Sequence, residues 1–195
     1  MRTVTVDDVP AVAATLARAF GDDPVMAHLL GGDEASRIPR MRRYFTAALR
    51  VQHLAHGLCF TDEDRSAASL WDPPGQWRMT LGQIARGGRW LIPAFGTRTP
   101  RALRALSAIE RVHPREPHYY LAVLGTDPDH QGQGRGSAAM GPVLARCDAE
   151  GVPAYLESSK ESNVPFYARH GFELRGEIAL PNGPSLWPMW REPKA

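Results

Sequence analysis

Three glycines at alternate positions, Gly132, Gly134 and Gly136, have the spacing that most clearly predicts chemistry in this sequence. An apolar stretch ending at Thr126 precedes them, and a stretch with helical periodicity follows to about Glu150. A strand, a glycine-rich turn and a helix in this order gather unpaired backbone N–H groups at the positive end of a helix dipole, where phosphate binds. Since larger side chains would hold an anion away from these amides, the glycines predict close approach of a phosphorylated ligand.

Two known phosphate-binding patterns, the P-loop and the dinucleotide-binding fingerprint, can be compared with this turn. The P-loop requires Gly-Lys followed by Ser or Thr, and this triplet does not occur in the sequence. The relaxed dinucleotide fingerprint is met from Gly134 to Ala139, and Glu157 stands where a ribose-binding acid is expected. However, polar residues separate the preceding strand from the glycines, and only 61 residues follow Gly134. A nucleotide-dependent oxidoreductase is therefore a weak alternative that stays open.

The segment around the glycines resembles a known family. Residues 131–136, Gln-Gly-Gln-Gly-Arg-Gly, match the (Gln/Arg)-x-x-Gly-x-(Gly/Ala) signature of the GNAT superfamily of N-acetyltransferases. Residues 19–24 and 187–191 also resemble the antibiotic-resistance branch that includes puromycin N-acetyltransferase. The similarity to the superfamily continues over the C-terminal half of the chain, through Asp127-Pro128, Tyr155-Leu156-Glu157-Ser158, Asn163-Val164-Pro165-Phe166-Tyr167 and His170-Gly171-Phe172.

The resemblance implies an N-acetyltransferase that takes its acetyl group from acetyl-CoA and passes it directly to a primary amine of a small molecule. It also implies where the donor would bind. The residues expected to hold the pyrophosphate through their amides are Gln131, Gly132, Gln133, Gly134, Arg135, Gly136 and Ser137. Those expected to bind the pantetheine arm or the acetyl carbonyl are Leu124, Gly125, Thr126 and Asn163. A non-catalytic acyl-CoA-binding module is the alternative that keeps these residues without turnover.

Tyr167 is the candidate catalytic residue, as the proton donor for the departing thiolate. A phenol and a thiol have similar ordinary pKa values, so proton transfer between them is nearly balanced. The general base is not identified by the sequence, and the candidates are Glu116, His118, Tyr120, Asp22, Asp23 and Glu157. Cys59 and Cys147 lie outside the matched motifs, which favours direct transfer over an acyl-cysteine intermediate.

The elements that position these residues form a mixed α/β pattern. Period-two and aromatic-rich stretches predict strands at 3–6, 58–61, 67–71, 118–126, 154–158, 172–180 and 185–191. Helices are expected between them, and Pro142 is expected to kink or split the helix after the glycines. The resemblance specifies the fold further: a central, mostly antiparallel mixed sheet, splayed in the middle and flanked by helices.

Composition narrows the class of protein. A net charge of +2 is too balanced for a nucleic-acid surface, and we expect no nucleic-acid partner. Neither an apolar run of spanning length nor a signal peptide occurs, so a cytoplasmic protein without membrane contact is expected. Neither cysteine nor histidine spacing indicates a metal site, and His53 and His56 are interpreted as surface residues.

Length favours a single domain over residues 1–195. We expect residues 1–115 to supply mainly the acceptor side and residues 116–195 the acetyl-CoA-binding core. Trp71, Trp77 and Trp90 could line an acceptor pocket or fill the core, and the sequence favours neither. The identity of the amine is not encoded, and either a monomer or a homodimer is expected.

Overall fold

The computed structural model describes residues 1–194. Their strands form one sheet. Its strands, in spatial order, are β1 (Arg2–Thr3), β2 (Cys59–Thr61), β3 (Ala67–Asp72), β4 (Tyr119–Thr126), β5 (Ala154–Ser158), β8 (Ser185–Arg191) and β6 (Glu173–Leu174). The short strand β7 (Ile178–Ala179) pairs with β8. All pairs are antiparallel except β4 with β5, which is parallel. The mixed, mostly antiparallel sheet predicted above is confirmed.

The sheet opens at its centre because β4 carries a bulge. Leu70 pairs with Val123 and Trp71 with Leu121, so Ala122 is an extra residue on β4 without a partner on β3. A bulge of this kind bends its strand. Pairing between β4 and β5 stops at the same place, since Leu121 opposite Leu156 is its last residue pair. The rest of β4 leaves its neighbour and forms one wall of a cleft.

Helices cover both faces of the sheet. On one face lie α1 (Val9–Ala19), α2 (Pro24–Leu30) and α3 (Glu34–Ala47), which pack around Leu16, Phe45 and Leu70. On the other face α6 (Arg135–Glu150) and the short α7 (Val164–Ala168) pack around Trp71, Met140 and other core residues. The amphipathic helices α4 (Leu81–Phe95) and α5 (Thr99–Val112) complete the fold. No helix described within residues 1–194 is both long and apolar enough for a bilayer crossing.

Three local expectations need correction. The first strand is Arg2–Thr3, because the chain turns into a 3-10 helix already at Val6. The helix after the glycines is not split, since α6 continues through Pro142. His53 and His56 are not surface residues: their side chains are 5% and 8% exposed, and His53 Nδ1 lies 2.7 Å from the Asp72 carboxylate.

Candidate functional site

A cleft of about 650 Å³ lies where β4 and β5 separate. Its floor is the unpaired part of β4, and the glycine turn with the start of α6 forms one wall. The α1–α2 loop, part of α3, the segment after β5 and α7 close the other sides. The cleft therefore exists only because the bulge separates two central strands, and residues from both halves of the chain surround it.

The glycine turn exposes backbone donors to this cleft. Gly132 and Gly134 have φ values of 74° and 75°, a region that residues with a side chain rarely occupy. No atom lies within 4 Å of the position that a Cβ would take on either residue. Within residues 1–194, the N–H groups of residues 132–137 donate to no acceptor, and the first helical bond runs from Ala138 N to the Gly134 carbonyl. The turn is a cradle of free N–H groups at the N-terminus of a 16-residue helix.

The Arg135 side chain points away from the cradle and anchors it. Its guanidinium lies 2.6 Å from Asp62 and 3.1 Å from Asp64, both in the turn between β2 and β3, and also donates to Ser66. These hydrogen bonds, mainly the one with Asp62, raise the pKa of Arg135. Because two carboxylates neutralise the guanidinium, the contribution of Arg135 to the cradle is its backbone N–H group.

Gly125 has a packing role that the sequence did not reveal. A Cβ on this residue would lie 2.8 Å from Leu16 Cδ2 and 3.0 Å from Ala19 Cβ of α1. Real Cβ atoms do not approach other carbon atoms so closely, so the missing side chain lets α1 lie directly on β4. Gly136 is less restricted, since its Cβ would lie 3.3 Å from Thr126 Oγ1.

Tyr167 reaches the cleft from α7. Its ring packs edge-on against Phe166 and Phe172, with centroid distances of 5.1 and 6.1 Å. Burial raises the pKa of its hydroxyl well above the ordinary value, and the negative charge of Asp23 adds to the shift. The phenol therefore stays protonated at neutral pH, available as a proton donor, although it is a weaker acid than a free tyrosine.

The α1–α2 loop is fastened across the cleft to the segment that follows β5. The buried Asp23 caps α2 by accepting from Met26 N at 2.8 Å, and it also accepts a hydrogen bond from Ser159. Burial raises the pKa of Asp23, while these hydrogen bonds oppose the shift. Asp22 forms an ion pair with Lys160 at 2.6 Å. These contacts hold two carboxylates in the lining of the cleft.

Glu157 is a third carboxylate of the cleft and lies at its floor. Its side chain is 4% exposed, and its Oε2 accepts from the Tyr120 hydroxyl at 2.7 Å. His113 Nδ1 approaches Oε1 at 3.2 Å. The sequence did not single out His113, which follows the last turn of α5. The one feature that could have drawn attention to it is a second histidine, His118, five residues later.

The sequence matches the acetyltransferase (GNAT) family over residues 59–172. The chain belongs to the GNAT family. A curated GNAT relative, the uncharacterized N-acetyltransferase C550.08 of Schizosaccharomyces pombe, is 29% identical over 205 residues, which cover 99% of this chain and 83% of the relative.

Solved structures share the GNAT fold over the full length. A histone acetyltransferase HPA2 and related acetyltransferase from Corynebacterium glutamicum superposes with a TM-score of 0.73 and 24% identity, covering 99% of this chain and 95% of that one. The polyamine N-acetyltransferase of Drosophila melanogaster has a TM-score of 0.62 and 19% identity, with 98% of each chain covered. At these identities the structures establish the fold.

GNAT proteins generally use acetyl-CoA as the acetyl donor, and the residues of this cleft fit a CoA-type ligand. The observation that tests the fit is the cradle, where open space at Gly132 and Gly134 adjoins free N–H groups suited to a diphosphate. Asn163 fits as well: it is the N-cap residue of α7, but its side chain makes no capping hydrogen bond, and the residue lines the cleft.

Most residues that the GNAT resemblance singled out meet in this cleft. Of that set, Gln133 alone among the described residues does not line it, because its side chain accepts from Arg135 Nε at the surface. The residues brought together are Leu124, Gly125, Thr126, Gln131, Gly132, Gly134, Arg135, Gly136, Ser137, Asn163 and Tyr167.

The tryptophans do not belong to this group. Trp71 is fully buried in the core, Trp77 stacks on His113 at 3.7 Å, and Arg89 covers Trp90. Within residues 1–194, the aromatic residues that line the cleft outside α7 are instead Phe20, Tyr44, Phe45 and Tyr120. Sequence reasoning missed three of these because ordinary core residues of α1 and α3 have the same pattern.

Proposed function

We propose that this GNAT protein transfers the acetyl group of acetyl-CoA directly to a primary amine of a small molecule. The observation that carries the proposal is the convergence in one cleft of the free N–H groups of residues 132–137, the hydroxyl of Tyr167 and three carboxylates. The N–H groups suit a diphosphate, and the Tyr167 hydroxyl suits a departing thiolate. The carboxylates suit an ammonium group.

Acetyl-CoA would supply a thioester, whose acyl carbon an amine can attack. The amides of residues 132–137 would hold its diphosphate, since the glycine cradle leaves them accessible. Leu124, Gly125, Thr126 and Asn163 would hold the pantetheine arm, because β4 has no strand partner on this side beyond Leu121. N–H groups of this part of β4 would stabilise negative charge on the acyl oxygen.

Tyr167 would donate a proton to the sulfur of the leaving group. The Tyr167 ring is largely buried, but its hydroxyl donates to no acceptor within the described residues and can therefore turn to a ligand in the cleft. Its raised pKa keeps the proton in place until negative charge develops nearby.

The acceptor side suits a cationic amine with an apolar or aromatic body. Asp22, Asp23 and Glu157 provide negative charge, and Tyr44 and Phe45 provide aromatic surface. The Drosophila neighbour is described as a polyamine N-acetyltransferase that catalyses the formation of N-acetylagmatine, which makes agmatine and polyamines the first acceptors to examine. The resemblance of residues 19–24 to puromycin N-acetyltransferase adds aromatic aminonucleosides to that set, since these residues form the α1–α2 loop.

Direct transfer is favoured over an acyl-cysteine intermediate. Cys59 and Cys147 are both buried in the core, and burial raises the pKa of each thiol to about 12. At neutral pH such thiols are not the thiolates that attack a thioester. Neither lines the cleft within the described part of the chain.

The experiment is a screen of primary amines with acetyl-CoA, in which a thiol reagent detects released CoA and mass spectrometry detects the acetylated amine. Calorimetry with acetyl-CoA, free CoA and NADH is measured in parallel. We expect acetyl-CoA to bind, NADH not to bind, and at least one cationic amine to be acetylated. Binding without turnover on any amine would instead identify an acyl-CoA-binding module, and preferential binding of NADH would overturn the proposal.

A further inference from the structure

A chain of buried polar groups leads from the cleft into the protein. It begins at Glu157, whose Oε1 lies 3.2 Å from His113 Nδ1. His113 Nε2 lies 3.0 Å from His118 Nε2, and His118 Nδ1 lies 2.7 Å from the backbone carbonyl of Glu116. The side chains of Glu157 and His113 are 4% and 1% exposed, and His118 is also buried.

The donor and acceptor roles in these hydrogen bonds determine how many protons the three side chains carry. A carbonyl oxygen only accepts, so His118 Nδ1 must carry a proton. If both imidazoles were neutral and Glu157 ionised, His113 would donate to Glu157 and two nitrogen lone pairs would face each other at 3.0 Å. All contacts are satisfied only when one further proton is present, on Glu157, on His113 or on His118. The hydrogen-bond geometry therefore suits the chain after it has taken up one proton.

The chain ends at a backbone carbonyl group. Glu157 and Tyr120 line the cleft. Glu116 and Tyr155 line a depression of about 520 Å³ elsewhere on the surface, together with Trp190. His118 packs edge-on against Tyr155 and Trp190, with centroid distances of 5.4 and 5.5 Å. Because the last hydrogen bond goes to the Glu116 carbonyl, which accepts a hydrogen bond but does not pass on a proton, the two histidines form a closed end that shares a proton taken up at Glu157.

We propose that Glu157 is the general base of the reaction and that the buried pair His113 and His118 shares its proton through the hydrogen bonds described above. This inference rests on the proposed function, because an amine must be the group that gives up the proton. Glu157 is the catalytic residue here, and the two histidines act through it. Tyr120 positions the carboxylate by donating to its other oxygen.

The proton balance of the transfer is then complete. Of the three protons of an ammonium acceptor, one passes to Glu157 before attack and returns to water of the cleft once the product has left. A second leaves the nitrogen as its bond to the acyl carbon forms and the bond between that carbon and sulfur breaks. Tyr167 protonates the sulfur and is restored by this second proton, while the third stays on the amide nitrogen.

Other ionisable groups border Glu157, His113 and His118. Tyr120 on β4 and Tyr155 on β5 flank His113, and Asp72 at the end of β3 acts on Tyr120. The pKa of both tyrosines is raised well above the ordinary value, mainly by burial, so they stay neutral at physiological pH. Burial also lowers the pKa of His118. The negative charges of Glu157 and Glu116 oppose this shift and favour a proton on His118.

The first test needs no substrate. The imidazole nitrogens of His113 and His118 are titrated by ¹⁵N NMR in the wild type, in Glu157→Gln and in a matched control, Glu173→Gln, which alters an exposed residue of β6. We expect the His118 ring to titrate alike in the wild type and the control. In Glu157→Gln the apparent pKa of His118 is expected to fall, because the opposite charge that raises it is lost. An unchanged titration would overturn the coupling between Glu157 and the histidines.

The second test uses the acetylation assay. Glu157→Gln and His118→Gln are expected to lower kcat/KM, the former by about 10²–10⁴-fold, while the affinity for acetyl-CoA stays within a factor of two of wild type. The kcat/KM of Glu157→Gln should rise about tenfold per pH unit below the pKa of the amine, because only the free base then reacts. Thermal unfolding excludes misfolded variants.

The outcomes separate the two proposals. If the wild type acetylates no amine, the proposed function fails, while the NMR titration still decides whether the three groups share one proton. If the wild type is active and Glu157→Gln keeps both its rate and its pH profile, the inference about the base is wrong and the proposed function stands.

Discussion

Leu121 and Leu156 are the last residues that join β4 to β5 in the parallel register. One residue beyond this pair, the unpartnered Ala122 bends β4 away, and the free edge of the strand becomes the floor of the cleft. The bulge thus converts the centre of a sheet, normally the most completely hydrogen-bonded part of a fold, into a place where backbone groups can meet a ligand.

Tyr167→Phe tests the proton donor. Removing one hydroxyl while keeping the ring leaves the contacts with Phe166 and Phe172 intact. We expect kcat to fall by about 10²–10⁴-fold, the usual contribution of a positioned acid, with the dissociation constant of acetyl-CoA nearly unchanged. The matched control is Tyr119→Phe, whose hydroxyl bonds to Glu150 and not to the cleft. A Tyr167→Phe enzyme as fast as the control would remove Tyr167 from the mechanism.

Gly134→Val tests the cradle. A branched side chain would be strained at φ 75° and would occupy the open space in front of the free N–H groups. Loss of two charge-assisted hydrogen bonds corresponds to about 3 kcal/mol, so the affinity for CoA should fall by about 100-fold or more in calorimetry. Gly141→Val in α6, where a Cβ also meets open space, is the control. Equal affinity in both variants would contradict the assignment of the cradle.

Gly125→Ala tests the contact between α1 and β4. The added methyl group would lie 2.8 Å from Leu16 Cδ2, so the helix must move or the strand must bend further. Overpacking of this kind costs about 1–3 kcal/mol, which we expect as a loss in the free energy of unfolding in urea. Gly141→Ala should not destabilise the protein. If Gly125→Ala is as stable as the wild type, α1 packs less tightly against β4 than its contacts indicate.

Acid stability should depend on Asp8. Its carboxylate lies 2.6 Å from both Arg2 and Arg65 and accepts from Thr5 N at 3.0 Å. These bonds, foremost that with Arg2, hold the pKa of Asp8 far below its ordinary value. The unfolded chain therefore binds a proton more readily than the folded one, and stability falls as the pH drops below about 4.

The variant Asp8→Asn removes this titration. Its free energy of unfolding should be lower than that of the wild type at neutral pH, and the difference should shrink between about pH 5 and pH 3. Urea unfolding at a series of pH values measures it, with Asp7→Asn, an exposed neighbour, as the control. A difference that stays constant with pH would show that Asp8 acts through packing.

The sequence by itself determined the family, the cradle and most of the strands. These are local properties: glycines at positive φ, a strand before them and a helix after them lie within about 30 consecutive residues, so spacing alone displays them. The parallel pairing of β4 with β5 follows from the helix between them, because only a crossover lets two successive strands run in the same direction.

The tertiary structure decided which groups face one another across long separations in sequence. Ser159 meets Asp23, Arg135 meets Asp62, and Gly125 meets Leu16, contacts that no spacing displays. The position of His113 against Glu157 and His118 is of the same kind, and it was invisible because a histidine after a helix is ordinary in sequence. Trp71 belongs to the core for the same reason. The burial of a side chain and its contact partners depend on how distant segments pack. The sequence pattern indicates only which face of its own helix or strand a residue occupies.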